Sequence, residues 1–197
     1  MLSVRRFVFA YRFLIFWGLT LALLLAACGG TFLMKTTDPS PVLTTKSHSA
    51  VLVIIREDTI YHAHFIIDNF LDGKMIGQTQ GYSFFVTEVK PGMHYLTSHA
   101  QNYDTVYMNF SPGKIYFLQQ GIFPGYHAPT SRYVPMSFTE AKSQIKGAVY
   151  LSFSGASSEN DMTEKDYQEE KIKYEKEVKE DPNIHKDTRD YQGFGRI

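Results

Sequence analysis

The sequence predicts a mainly β fold, an all-β sandwich or partly open barrel with one short helix and a charged C-terminal helix. β-Branched and aromatic runs of strand length recur from residue 50 to residue 155, separated by Pro-Gly and Asp-Gly turn signals. No alternation of helix and strand interrupts them, which argues against a doubly wound nucleotide fold. Charge is sparse in this stretch, whereas acidic residues pile up after Ser157.

The elements follow in order. AVLVIIR, residues 50–56, is too short for a buried helix and too continuously apolar for a half-exposed strand, so it reads as a central strand. After the polar turn Glu57-Asp58-Thr59 comes YHAHFII, read as the next strand. Asp72-Gly73 is a hairpin turn, and Gly77 marks a tight bend or bulge. GYSFFVTEV sets Tyr82, Phe84 and Val86 on one face and Phe85 and Val89 on the other. Pro91-Gly92, a turn around Asn102-Tyr103-Asp104, and Pro112-Gly113 introduce the strands MHYLTSH, TVYMNF and KIYFLQQG. Residues 121–136, GIFPGYHAPTSRYVPM, read as a loop by their glycines and prolines. SFTEAKSQIKG then reads as a short helix capped by Ser137 or Thr139, and AVYLSF as the last strand. Beyond it, Thr163 is an N-cap and Pro182 a stop for a helix with Tyr167, Tyr174 and Val178 nearly in register and Ile172 to one side. Glu169 with Lys173 and Glu175 with Lys179 have the favourable i,i+4 order.

The N-terminus has a different character. Arg5, Arg6 and Arg12 precede an uncharged apolar run from Phe13 to Ala27. That run is about 15 residues, short of the roughly 20 a membrane-spanning helix requires, so it reads as a secretory signal core. Leu25-Ala26-Ala27-Cys28 resembles the lipobox of bacterial lipoproteins. The resemblance implies cleavage before Cys28 and a diacylglyceryl group on its sulfur, often with acylation of the new amino group. Two or three acyl chains, at about 0.8 kcal/mol per buried methylene, make a stable anchor. The competing reading is an uncleaved N-terminal helix starting near Phe7, which Arg12 disfavours. Gly29 lacks the aspartate that retains lipoproteins of enteric bacteria in the inner membrane, so the resemblance points to the outer membrane, facing the periplasm.

The expected organisation is a signal peptide over 1–27, an acylated flexible tether over 28–49, a β-sandwich domain over 50–155 and a charged helical extension over 156–197. With Cys28 lipidated, the only cysteine in the chain is used and no disulfide is available. A mature chain of about 170 residues must rely on a packed core. Twenty Lys and Arg balance 20 Asp and Glu, which leaves no global basic field for nucleic acid.

A second resemblance rests on turns. Asp72-Gly73-Lys74-Met75-Ile76-Gly77, then Val89-Lys90-Pro91-Gly92-Met93-His94 and Asn102-Tyr103, is similar to the pattern of PEGA-type modules and of a family of bacterial lipoproteins with a related small sandwich. It implies an immunoglobulin-like, carboxypeptidase-regulatory-like β-sandwich with a binding or structural role and without catalysis.

For function, the sequence offers surfaces rather than reaction centres. Phe123, Tyr126, His127, Arg132 and Tyr133 concentrate aromatic and Arg side chains of the kind found at contacts, and they are the candidate partner-binding residues; the competing reading folds the aromatics back over one end of the sandwich. His62 and His64, alternating on a strand, are weak candidates for a metal, with His94 or His99 as third ligands. No nucleophile elbow, zinc-protease helix or phosphate loop is present. The expectation is therefore a non-enzymatic envelope lipoprotein with no cofactor beyond the lipid on Cys28, held at the membrane by that lipid and bound to another envelope protein or serving a structural role. A small-ligand or metal-binding protein is the alternative, and an envelope hydrolase stands last.

Overall fold

A computed structural model describes residues 32–38, 41–59, 63–125, 129–153 and 158–195. They form a two-sheet β-sandwich. The larger sheet holds β1 (Met34–Thr36), β10 (Val149–Phe153), β5 (Ser83–Val89), β2 (Ala50–Arg56), β8 (Ile115–Phe123) and β9 (Thr130–Pro135), in that order across the sheet. The smaller runs β4 (Lys74–Thr79), β3 (Ile67–Leu71), β6 (Gly92–His99) and β7 (Tyr103–Phe110). α1 (Phe138–Ile145), α2 (Glu164–Glu180) and α3 (Lys186–Arg189) complete the fold.

The apolar run of β2 explains the layering. It pairs antiparallel with β5 and parallel with β8, and all its residues are buried. Ala50, Leu52 and Ile54 face the smaller sheet, where they meet Phe85, Leu96, Val106, Met108, Phe110 and Leu118. Val51, Val53 and Ile55 face the other way with Phe84, Ile115 and Phe117, under a cover of Met136, Phe138, Ala141 and Phe194. A strand covered on both sides has no use for alternating polar residues, hence its composition. Phe84 and Phe85 divide between the two faces as the period of two requires.

Turn chemistry sets the registers. Asp72 and Gly73, at φ 50° and 77°, join β3 to β4 as a two-residue hairpin, the conformation for which Asp-Gly is suited. The β3–β4 ladder shifts between Asn69 and Phe70, opposite Gly77. A Cβ at Gly77 would come 3.1 Å from the Phe85 ring, so the bulge and the close packing of the sheets need glycine there. Ser137 caps α1 in a reciprocal box, accepting from the Glu140 amide while Glu140 accepts from its own. Thr163 caps α2 by accepting from the Asp166 amide.

Three segments differ from the expectation. β3 starts only at Ile67, and residues 63–66 stay out of the ladder, with a turn at 63–64, because carbonyls of this stretch are taken by side chains and a turn. Arg56 Nη1 donates to Phe65 O at 2.5 Å, Gln80 Nε2 to His64 O at 2.7 Å, and Gly81 N to Ala63 O at 2.8 Å. Residues 121–123 and 130–135, expected within a loop, pair as the ends of β8 and β9; Pro135 is tolerated because β9 is an edge strand. Within the stretch expected as a tether, Met34–Thr36 pairs with β10 and Met34 enters the core.

α2 lies on the outer face of the smaller sheet. Tyr95 stacks on Tyr107 at 4.4 Å and meets Tyr174 and Tyr167 edge-on at 6.0 and 6.4 Å, and its hydroxyl donates to Glu175 at 2.8 Å. Ile172 is 63% exposed on the far side. The expected pairs of α2 are replaced because the sheet recruits their members. Lys173 turns to Glu170 and to Tyr103 O, and Glu175 accepts from Tyr95. The C-terminal tail continues where β9 stops: Phe194 exchanges backbone hydrogen bonds with Ile115, and Tyr191 Oη receives the Phe117 amide.

Candidate functional site

Alternation along β7 turns Val106, Met108 and Phe110 into the core, and the same parity places Asp104 at the end of that face, where the sandwich opens. There the edge strands β7 and β9 approach one another, and α3 packs against both. The Tyr133 amide of β9 stabilises the Asp104 carboxylate, and Thr188 Oγ1 donates to Tyr133 O at 3.4 Å, so two side chains blunt the β9 edge.

Next to this seam is a groove of about 310 Å³. Asn102, Tyr103, Asp104 and Thr105 of the β7 end, Arg132 of β9, Glu170, Lys173, Tyr174 and Glu177 of α2, and Ile184 and His185 ahead of α3 line it. His185 has φ 51°, a left-handed conformation uncommon outside glycine, and is 5% exposed. Its Nε2 is 3.6 Å from Asp104 Oδ1, while its Nδ1 and Asp104 Oδ2 are buried without a hydrogen-bond partner. Burial pushes the Asp104 carboxyl up to about 6 against the pull of Arg132, and pushes His185 down to about 4 with help from the Arg132 charge. At neutral pH the pair is carboxylate and neutral imidazole.

Two other polar clusters close on themselves. Between the sheets, Asn69 Oδ1 accepts from Gln120 Nε2 at 2.9 Å and Tyr133 Oη at 2.7 Å; Thr79 donates to Gln120 Oε1, and Ser131 to Ser98 at 2.7 Å. The turn motif is equally structural. Asp72 accepts from the Tyr95 amide at 3.0 Å and meets His94 Nδ1 at 2.5 Å, while His94 Nε2 meets Lys90 O at 2.9 Å. The Asp-Gly hairpin and the Pro-Gly-Met-His segment are thereby pinned to each other.

Of the residues singled out from sequence, Cys28, His62, Tyr126 and His127 lie outside the described residues. His64 sits in a turn rather than on a strand, its ring against Phe65 at 4.3 Å. Among the described residues no group of three or more His, Cys, Asp or Glu could hold a metal, and no helix is long and apolar enough to cross a membrane. Phe123 is 47% exposed at the end of β8. Arg132 and Tyr133 are neighbours on β9 and point to opposite sides: Arg132 reaches the groove, whereas Tyr133 is buried with its hydroxyl on Asn69 and offers no surface. The groove itself adds Asp104, Lys173, Glu177 and His185. Asp104 carries a signal in the sequence, an acid on the apolar parity of a strand; His185 carries none.

Comparison with family models, curated proteins and solved structures finds no match to the chain.

Proposed function

We propose that the chain is a lipid-anchored lipoprotein of the bacterial cell envelope, in the outer membrane facing the periplasm, whose sandwich is a non-enzymatic binding module acting through the edge groove. The anchor rests on the Arg-flanked apolar run and on Leu25-Ala26-Ala27-Cys28, with lipid on Cys28 as the only covalent group. The observation that carries the binding role is the groove itself, in whose walls Asp104 Oδ2, His185 Nδ1 and Tyr174 Oη are buried without hydrogen-bond partners. Burying such groups unsatisfied costs about 1–3 kcal/mol each, and a bound ligand is one way in which that cost is recovered. A histidine held near 4 is a poor general base at neutral pH, which favours binding over catalysis.

The test is native mass spectrometry of the lipidated protein extracted from membranes. The wild type carries a small-molecule adduct that the Asp104→Asn, Arg132→Gln double variant loses. An adduct of equal abundance on both, or none on the wild type, counts against the groove.

A protein partner is the second reading, favoured by Phe123 and Val134, 47% and 37% exposed along the outer edge beside Arg132. A photo-crosslinker at Val134 that captures one envelope protein in cells supports it.

A further inference from the structure

The first strand limits how far the sandwich can stand from its anchor. Phe32 packs against the core, the Leu33 amide donates to Gln78 Oε1 at 2.6 Å, and Met34 is buried opposite Phe153. Four peptide links join Cys28 to Phe32, and fully extended they reach about 14 Å. A lipid on Cys28 therefore keeps the entry to β1 close to a bilayer, and the end of the sandwich beside that entry faces it.

The registers identify that end. β1 enters beside Phe153, the last residue of β10, and β10 runs parallel to β5. β5 finishes at Val89, opposite Ala50 at the start of β2, and β2 is in parallel register with the start of β8. Three connections lie there: residues 46–49, 90–91 and 111–114. The Gly113 amide donates to Ser49 O at 2.8 Å and the Val51 amide to Lys114 O at 2.9 Å, which ties the first connection to the last. Lys46 pairs with Glu88, just ahead of the second, at 2.8 Å. The three connections carry Lys46, Lys90 and Lys114, and Glu88 is the one acid beside them. Among the described residues neither Lys90 nor Lys114 forms an ion pair. Met93, just past the Pro91-Gly92 turn, is 48% exposed. At the neighbouring hairpin the charges cancel, Asp72 against His94 and Lys74 against Asp161.

The opposite end is the more acidic. Glu57 and Asp58 follow β2 there, and in the groove Asp104, Glu170 and Glu177 outnumber Arg132 and Lys173. The groove opens at the start of β7, whose last residue, Phe110, pairs with Gly92 at the lysine-bearing end. A lysine beside an anionic leaflet raises partitioning about fivefold, so this asymmetry favours one orientation on such a surface.

We propose, resting on the lipid anchor at Cys28, that the lysine-bearing end is a docking surface for the anionic phospholipid headgroups of the membrane that holds the anchor. Docked this way, the groove faces away from the bilayer.

The experiment inserts the full chain, purified in detergent, into preformed vesicles of phosphatidylethanolamine and phosphatidylglycerol. Acetylation of each lysine by a membrane-impermeant reagent is then followed by mass spectrometry. Lys90 and Lys114 react at least about fivefold more slowly on these vesicles than in neutral detergent micelles. Lys176 and Lys179, exposed on the last turns of α2, react alike in both. Vesicles of phosphatidylcholine alone protect Lys90 and Lys114 less, and Met93→Glu, an exposed change, reduces their protection on the anionic vesicles. Intact mass of the same sample reports the lipid. A lipidated chain whose Lys90 and Lys114 are slowed no more than Lys176 and Lys179, or equally on both kinds of vesicle, overturns the docking surface and leaves the anchor standing. Selective protection of Lys90 and Lys114 in a chain without lipid overturns the anchor and leaves the surface standing.

Discussion

Asp104 and His185 are displaced in opposite directions by the same burial, and their consequences for stability oppose each other. Asp104 rises from 3.8 to about 6, so the stability it contributes is present below 3.8 and lost as pH rises through 6. His185 falls from 6.5 to about 4, so its contribution is present above 6.5 and lost as pH falls through 4. Between these limits the folded pair holds one proton, on Asp104, and the unfolded pair also holds one, on the histidine. Their joint slope is therefore close to zero, and removing either member uncovers the other. Relative to wild type, Asp104→Asn should gain stability with pH by about 1.4 kcal/mol per unit across this window. His185→Asn, chosen because Asn tolerates the left-handed backbone, should lose stability at a similar rate. Urea unfolding of both variants at pH 4.5, 5.5 and 6.5 reads the slopes; parallel slopes for the two would contradict the assignment. Asp104 could be suspected from the strand pattern, since a carboxylate on the parity of Val106 and Met108 is out of place. Its partner could not, because only the tertiary fold brings residues 104 and 185 together.

At the scale of elements, local chemistry was readable and long-range pairing was not. β2, the Asp72-Gly73 hairpin, the Gly77 bulge and both helix caps are dictated by residues within a few positions of each other. The irregular stretch at residues 63–66 is dictated by Arg56 and Gln80, and the β9 edge by β8, neither of which a window of sequence contains. The docking of α2 is of the second kind. Its stripe is only Tyr167, Tyr174 and Val178, and the sheet completes the contact with Tyr95 and Tyr107. Gly73 joins the two kinds. At φ 77° it needs a left-handed backbone, and a Cβ there would come 3.2 Å from Tyr167 Cγ. Gly73→Ala should cost about 1–3 kcal/mol and raise amide exchange along residues 164–180. Gly113→Ala makes the control: φ 72° with nothing within 4 Å, so it should cost the backbone strain alone and leave α2 protected. Equal exchange of α2 in both variants would mean that the helix is held elsewhere.

The whole molecule joins an N-terminus with the marks of an export signal to a sandwich that closes its own ends. β1 extends one side of the larger sheet, α3 seals the seam between β7 and β9, and the tail completes β8. The sandwich class was legible because strand-length runs and turn signals repeat through residues 50–155. The groove was not, because its lining comes from β7, β9, α2 and the approach to α3, far apart in sequence. The central claim is that lipid on Cys28 holds this module at a membrane. Intact-mass measurement of the protein extracted from its native membrane tests it most directly. The expected mass is that of the chain from Cys28 onward plus a diacylglyceryl group and an acyl chain, with Cys28→Ala accumulating as the full-length, unmodified chain. A membrane-extracted wild type that retains residues 1–27 and bears no lipid would contradict the account.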